Sequence, residues 1–367
     1  MCKAWRAATP RAGCSGNPAD MTRRATLRDI AKAAGVSAVT VHKVIYGKRG
    51  VADETREKVL SIAKSMDYSV NEAASSLKRK ALHIVIVLQG IDDPESQNFF
   101  FRKMWKGIDR AEADLRDYSV RITRMECRND WESQEEILCS LGRRKDVDGV
   151  ILHCWDETKL NPAIDYLFEK GVPTVTVNSD AIGSRRVGYV GAPNERIGML
   201  AAELMGRFIP AGGRVVLAGG SKMVENLKAN RGGFRCFLKS ASPRTAVVEV
   251  YSQGDKERFK EEFARALGGG GGVDGVYAIT SRDTFNACSV IREAGLSGKI
   301  RVIGSDAFTE LGSFFDDETL HATVWKDEFA QAEQAVKLLY QYLSERPMSA
   351  DPIRIGVVMK NNLEDYV

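Results

Sequence analysis

The chain has 367 residues, 44% of them hydrophobic and 28% charged, with a formal net charge of +4 and seven cysteines. This length allows more than one domain, and this apolar content can bury a large core. No apolar run approaches the length of a membrane span, and the odd cysteine count without a Cys-x-x-Cys spacing suggests neither a disulfide framework nor a zinc site; reduced thiols in a cytoplasmic protein are expected.

Residues 1–20 are rich in Ala, Gly, Pro and Arg, show no hydrophobic period and lack the apolar core of a signal peptide. They read either as a disordered tail or as sequence ahead of a true start at Met21. A helical headpiece is expected over 21–69. Thr26 can cap a helix and Asp29 can reach back to it, with Leu27, Ile30, Ala31 and Ala34 at helical spacing. Gly35 ends that helix, because glycine accepts the left-handed conformation of a C-terminal cap. Ser37 caps the next, which buries Val41, Val44 and Ile45 and turns Ala38, Val39 and Thr40 outward. A third helix runs from about Asp53 to Met66, with Val59, Ile62, Ala63 and Met66 on one face. Two short helices around a glycine turn form a helix-turn-helix, whose second helix enters the DNA major groove by its N-terminal end. Such a pair can also be plain core packing, but the charge distribution argues for DNA. Residues 1–80 hold sixteen Lys or Arg against seven Asp or Glu, so this part is +9 and the remainder −5. A basic head on a slightly acidic body suits phosphate-backbone binding.

From His83 the pattern becomes apolar runs alternating with amphipathic segments. The runs are 83–88, 120–125, 149–152, 174–177, 214–217, 246–250, 275–279 and 300–303; helical segments include 104–115, 195–208, 283–294 and 328–342. Apolar strands alternating with helices predict parallel sheets covered on both faces. About 280 residues suffice for two such lobes.

Residues 26–77 resemble the DNA-binding headpiece of the lactose-repressor (LacI) family. The shared pattern is Thr-Leu-x-Asp-Ile-Ala from Thr26, Ala-Gly-Val-Ser-x-x-Thr-Val from Ala34, Thr-Arg-Glu-Lys-Val from Thr55, and Tyr68-x-x-Asn71. The rest resembles the type I periplasmic-binding-protein fold of the same family, through Asn98-Phe-Phe-Phe101, Val147-Asp-Gly-Val150, Gly171-Val-Pro173, Tyr189-Val-Gly191, Val273-Asp-Gly-Val276 and Ile303-Gly-Ser-Asp306. The expected fold is therefore α/β: an all-helical helix-turn-helix headpiece (21–69), a hinge helix or linker (70–81), and a two-lobed, doubly wound parallel-sheet domain (82–367). Lobe 1 is expected over about 82–189 and 327–347, and lobe 2 over about 190–325 and 352–362.

For DNA, small Ala38 and Val39 can pack on thymine methyl groups, while Ser37 and Thr40 suit phosphates. The family usually has Ser-Arg where His42 and Lys43 stand. A lysine offers one mobile ammonium instead of a guanine fork, and His42 either bonds a phosphate or fills the exposed face. Thr26, Leu27 and Thr55 are placed with these as DNA contacts. The segment 73–77 is too short for a stable lone helix. The resemblance implies that it folds when two copies meet in the minor groove, with Asn71 and Ala74 in the hinge and Leu77 wedged between base pairs; the alternative is a flexible linker. Ala52 stands where the family prefers a capping Ser, a loss of roughly 1 kcal/mol unless Asp53 takes over the cap.

Open parallel sheets bind ligands beyond the carboxyl ends of their strands. Here those ends present Phe100, Phe101, Trp155, Asp156, Asn178 and Asp180, then Arg186, Thr280, Ser281 and Asp306. Aromatic faces and planar polar groups are what a sugar needs. The resemblance implies that Arg186 and Asp306 contact the ligand; otherwise each caps a helix or pairs with a neighbour. Two positions depart from the family: Asn230, where an Arg is usual, and Lys326, where Gln or Asn is common. Lys326 suits an anionic ligand such as a sugar phosphate or uronate, or is a solvated crossover charge.

The expectation is a ligand-responsive, sequence-specific repressor. It binds a pseudo-palindromic operator as a homodimer under the control of a sugar or sugar-phosphate effector, and the sign of the response is left open. No terminal heptad repeat favours a tetramer. An enzyme is the rival class. However, Gly219-Gly220 lacks both the dinucleotide and the Walker patterns, and no catalytic constellation can be assigned, so neither catalysis, cofactor nor metal is expected. The headpiece argues against a transport protein.

Overall fold

The computed structural model describes residues 25–45, 50–66, 68, 81–222, 224–270 and 272–367. The expectations for residues 1–20 and for the hinge, including Asn71, Ala74 and Leu77, lie outside these. The chain divides into two compact units, Met1–Asn71 and Glu72–Val367.

In the first unit, α1 (Leu27–Ala34), α2 (Ala38–Ile45) and α3 (Asp53–Ser65) pack around Ile30, Ala34, Val41, Val44, Val59 and Ala63. Thr26 and Asp29 form a reciprocal capping box at the start of α1. Gly35 ends α1 at φ 67°, a left-handed conformation that costs a glycine nothing, and its N–H bonds the Ala31 carbonyl. The Ser37 hydroxyl accepts from the Thr40 N–H at 3.1 Å and so caps α2. Ala52 gives α3 no side-chain cap.

The second unit carries two sheets. Lobe 1 has β1 (Leu82–Gln89), β2 (Val120–Cys127), β3 (Gly149–Leu152), β4 (Thr174–Val177) and β5 (Gly188–Val190). Its helices are α4 (Phe99–Asp114), α5 (Trp131–Leu141) and α6 (Glu157–Glu169). Lobe 2 has β6 (Arg214–Ala218), β7 (Ala246–Val250), β8 (Gly275–Ala278), β9 (Arg301–Ser305), β10 (Ala322–Trp325) and β11 (Gly356–Val358). Its helices are α7 (Asn194–Phe208), α8 (Glu225–Ala241), α9 (Lys256–Gly268), α10 (Ser281–Glu293) and α11 (Gly312–Asp316). The remaining helix, α12 (Glu328–Leu343), packs on α4 and on the β3–β5 side of lobe 1.

Strand order is β2-β1-β3-β4-β5 in one sheet and β11-β10-β9-β8-β6-β7 in the other, parallel throughout except for the antiparallel β10–β11 pair. The central strands are apolar on both faces: in β1 every residue from His83 to Gln89 is buried, because helices cover both sides. The strand order reverses direction at β1/β3 in lobe 1 and at β6/β8 in lobe 2. Helices leave the two sides there in opposite directions, which opens a crevice. The chain passes between lobes after β5, between β10 and α12, and again before β11. At the second passage Asp327 is left-handed, φ 33°, and its side chain caps α12 by accepting from the Ala330 N–H at 3.0 Å.

Candidate ligand cleft and nucleic-acid interface

The two crevices face each other and enclose a cavity of about 180 Å³. Lobe 1 contributes the loop before α4 and the ends of β3 and β4; lobe 2 contributes the ends of β6, β8, β9 and β10. Of the residues expected there, Phe100, Phe101, Trp155 and Asn178 line it from lobe 1, and Asn230, Thr280, Ser281, Asp306 and Lys326 from lobe 2. Asp156, Asp180 and Arg186 are not among the lining residues. Asp156 caps α6, accepting from the Lys159 N–H at 3.2 Å. Asp180 accepts from the Ala181 N–H at 2.8 Å, from the Thr176 hydroxyl at 2.9 Å and from Arg186 Nη2 at 2.6 Å. That pair ties the β4–β5 loop together, the neighbour pairing that is the alternative to ligand contact.

Gln97, Asn98, His153, Asn194, Asn226 and Gln253 also line the cavity and are not among the residues expected there. His153 was findable, since it directly follows β3 and obeys the strand-end rule. It is buried edge-on to Phe101, with ring centroids 5.0 Å apart and a ring Nδ1 without a hydrogen-bond partner. Burial pushes its pKa down to about 4, so the imidazole is neutral at pH 7. Gln97 and Asn98 act between lobes instead. Asn98 Oδ1 accepts from Arg282 at 2.7 Å and Gln97 Oε1 from Asn286 at 3.0 Å. The Phe99 ring stacks on Phe308 of lobe 2 at 4.2 Å, and Asn226 donates to the Asn178 carbonyl at 3.2 Å. The lobes are thus bridged directly around the cavity.

Lys326 is only 7% exposed, so it is not a solvated crossover charge. Its Nζ lies 3.0 Å from Asp306 Oδ1 and 5.2 Å from the centre of the Phe100 ring. Asp306 itself sits in the left-handed region, φ 69°, just beyond β9. Behind this pair lies Glu328, 1% exposed, with neither carboxylate oxygen hydrogen-bonded. Burial and the negative charge of Asp306 push its pKa up to about 8, against the opposing pull of Lys103 and Lys326. Burial lowers the pKa of Lys103.

Asn230 is buried and accepts from the Tyr277 hydroxyl at 3.0 Å. The neighbouring Arg231 does not replace the missing cleft arginine. It donates to the Ser221 carbonyl at 3.1 Å and to the Gly219 carbonyl, and lies 4.2 Å from the Tyr251 ring centre. The glycine pair after β6 also has a structural use. The Gly220 N–H donates to Asp283 at 2.7 Å, and a Cβ on Gly219 would stand 2.2 Å from that carboxylate. A protein carboxylate, also bonded by the Thr280 hydroxyl at 2.6 Å, occupies the place a phosphate would take. Burial raises the pKa of Asp283. Among the described residues no group of His, Cys, Asp and Glu is arranged to hold a metal ion.

On the headpiece, Ser37, Ala38 and Val39 are exposed at the start of α2, Val39 at 65%. The Thr40 hydroxyl lies 2.9 Å from that of Ser37. His42 is exposed and Lys43 half-buried on the next turn; Thr26 is exposed, while Leu27 and Thr55 are half-buried. An apolar side chain this open, at the end of the helix that would meet DNA, gains nothing from the protein's own core.

Residues 26–71 match the family described as bacterial regulatory proteins, lacI family, and residues 94–347 the periplasmic binding protein domain. The regulator MalR of Streptococcus pneumoniae is 29% identical over 246 residues, covering 66% of this chain and 69% of MalR. The ribose operon repressor of Bacillus subtilis is 26% identical over 344 residues, covering 91% and 96%. Among solved structures, the glucose-galactose binding protein GanP of Geobacillus stearothermophilus superposes with a TM-score of 0.69 at 23% identity. It covers 78% of this chain and 99% of GanP, and shares the fold of the body.

Proposed function

The chain belongs to the LacI family of bacterial transcriptional regulators, with a periplasmic-binding-protein domain as its body, and we propose that it represses transcription as a homodimer on a pseudo-palindromic operator, released or recruited by a sugar-type effector in the interlobe cavity. The observation that carries this is the pairing of an open recognition-helix end, Ala38 and Val39, with an interlobe cavity lined by aromatic rings and amides. The first can pack on thymine methyl groups. The second suits a polyhydroxylated molecule, whose C–H faces stack on rings and whose hydroxyls bond planar polar groups.

Coupling follows from connectivity. The cavity is built from both lobes, so an occupant changes their relative free energy, and any shift of lobe 1 reaches the segment leading to the headpiece. Effector and operator affinities then alter each other by one common factor. Headpiece contacts are assigned to Ser37, Thr40, Lys43 and Thr26 for phosphates, and to the hinge residues Asn71, Ala74 and Leu77 for the minor groove. No catalytic role is assigned to any residue. Among the described residues no helix is long and apolar enough to cross a membrane; the proposed site of action is cytoplasmic.

Selection of bound duplexes from a random library, repeated with a panel of sugars, tests the proposal. A palindrome with a flexible central step, whose recovery changes with one compound, is expected. Recovery of no sequence above background at low salt contradicts it.

A further inference from the structure

Lys326 replaces an amide with a cation, and a cation in a sugar cleft suggests an acidic ligand. The structure points the other way. Four charged side chains line the cavity among the described residues: Arg282, Asp283, Asp306 and Lys326. Two are cations and two are anions. Lys326 is 3.0 Å from Asp306. Arg282 is tied across the cleft to Asn98 at 2.7 Å, while Asp283 is held by the Gly220 N–H and the Thr280 hydroxyl. Of the two cations, Lys326 already faces a carboxylate, and Arg282 is held across the cleft by the Asn98 amide.

Behind Lys326 stands a second carboxyl group, Glu328, buried beside Asp306. To bind a phosphate or uronate, Lys326 has to share or leave Asp306. The aspartate then remains buried without its counter-charge, and removing one partner of a buried pair is strongly unfavourable. Arg282 Nε is an open donor beside the cavity, but the open side-chain oxygens there are acceptors, which take hydroxyl donors. Asn178 Oδ1 and Asn226 Oδ1 are buried acceptors with no hydrogen-bond partner. The neutral His153 ring adds a nitrogen without charge.

We propose that the cleft selects uncharged polyhydroxylated ligands over acidic ones, and that Lys326, held by Asp306, is the residue that sets this preference. The inference rests on the sugar-effector reading and narrows it. In this arrangement Asp306 accepts from ligand hydroxyls while Lys326 donates to one, and Phe100 supplies a face to the ligand's C–H surface. The pair acts as a matched donor and acceptor, and its net charge stays zero.

Matched sugar pairs test this by calorimetric titration of the full-length protein: glucose against glucuronate and glucose 6-phosphate, galactose against galacturonate, ribose against ribose 5-phosphate. The wild type is expected to bind one neutral member at least about tenfold more tightly than its acidic partner, a difference of roughly 1.4 kcal/mol. Asp306→Asn, which frees the ammonium, is expected to weaken the neutral ligand and to move the ratio about tenfold or more toward the acid. Tighter binding of an acidic member by the wild type overturns the proposal and leaves the sugar reading standing. An unmoved ratio in a folded Asp306→Asn protein removes Lys326 from its assigned role. If that variant does not fold, Lys326→Gln serves: the proposal expects no gain for either class, and a gain for the neutral sugar contradicts it. Failure of every pair to bind the wild type overturns the sugar reading, and the proposal with it.

Discussion

Lys326 shows how a single residue type can mislead until its neighbours are placed. The sequence places it at a crossover and offers two uses for its charge. What it does depends on Asp306, twenty positions earlier, and on Glu328, two positions later on α12. Asp306 was legible because it follows an apolar strand, but Glu328 was not, since helix starts commonly carry acidic residues. Its burial has a measurable consequence. Its folded pKa is raised to about 8 from an ordinary value of 4.5. The stability it lends is therefore fully present below pH 4.5 and is lost as pH rises through about 8. Glu328→Gln removes that loss. The variant is expected to melt several degrees above the wild type near pH 9, with the advantage shrinking toward pH 5; a gain independent of pH would show that Glu328 is not the titrating group. His153 teaches the opposite lesson. The strand-end rule that found Trp155 covers it equally.

At the scale of elements, legibility followed the strength of the local signal. The headpiece helices announce themselves by caps: Thr26 with Asp29, Gly35 and Ser37 each stand where the backbone needs them. The long apolar strands of both lobes were readable for the same reason that they are central, burial on both faces. The three-residue β5 and β11 were not, because so short a strand shows no periodicity. Residues Ala322–Trp325, which form β10, are not among the expected strands. Helical spacing places the start of α4 at residue 104, five residues late, since Phe99 to Phe101 form an unbroken apolar run rather than a stripe. The bare start of α3 gives a direct test. Ala52→Ser supplies the missing side-chain cap and is expected to stabilise the headpiece by about 1 kcal/mol, read as a higher melting temperature of residues 21–69 expressed alone or as slower amide exchange there in the full chain. No change would mean that the exposed Asp53 already does the work. In the hinge, Leu77→Ala is expected to weaken specific operator binding more than non-specific binding. Equal losses in a competition titration would assign the segment to a plain linker.

For the whole molecule, doubly wound topology does most to position the cleft. Each sheet reverses its order once, and the two reversals meet around the cavity, so the strand-end residues of both lobes converge there with the loop before α4. Sequence patterning revealed that convergence. It could not reveal which strand-end groups turn inward: Asp180 and Arg186 satisfy each other instead. Nor could it show the bonds that join the lobes directly, Arg282 to Asn98 and Asn286 to Gln97. These bonds make lobe closure partly independent of ligand. Asn286→Ala is accordingly expected to raise the effector dissociation constant several-fold, since the occupant must then supply more of the closure energy. An unchanged constant would remove Asn286 from that balance.

The central claim is that one chain couples a cleft ligand to an operator. The most direct test is a pair of titrations: the duplex recovered by selection against the protein with and without saturating sugar, and the sugar against the protein with and without that duplex. The account predicts that both affinities change, by the same factor and in the same direction. Two affinities that each stay constant in the presence of the other ligand would contradict it.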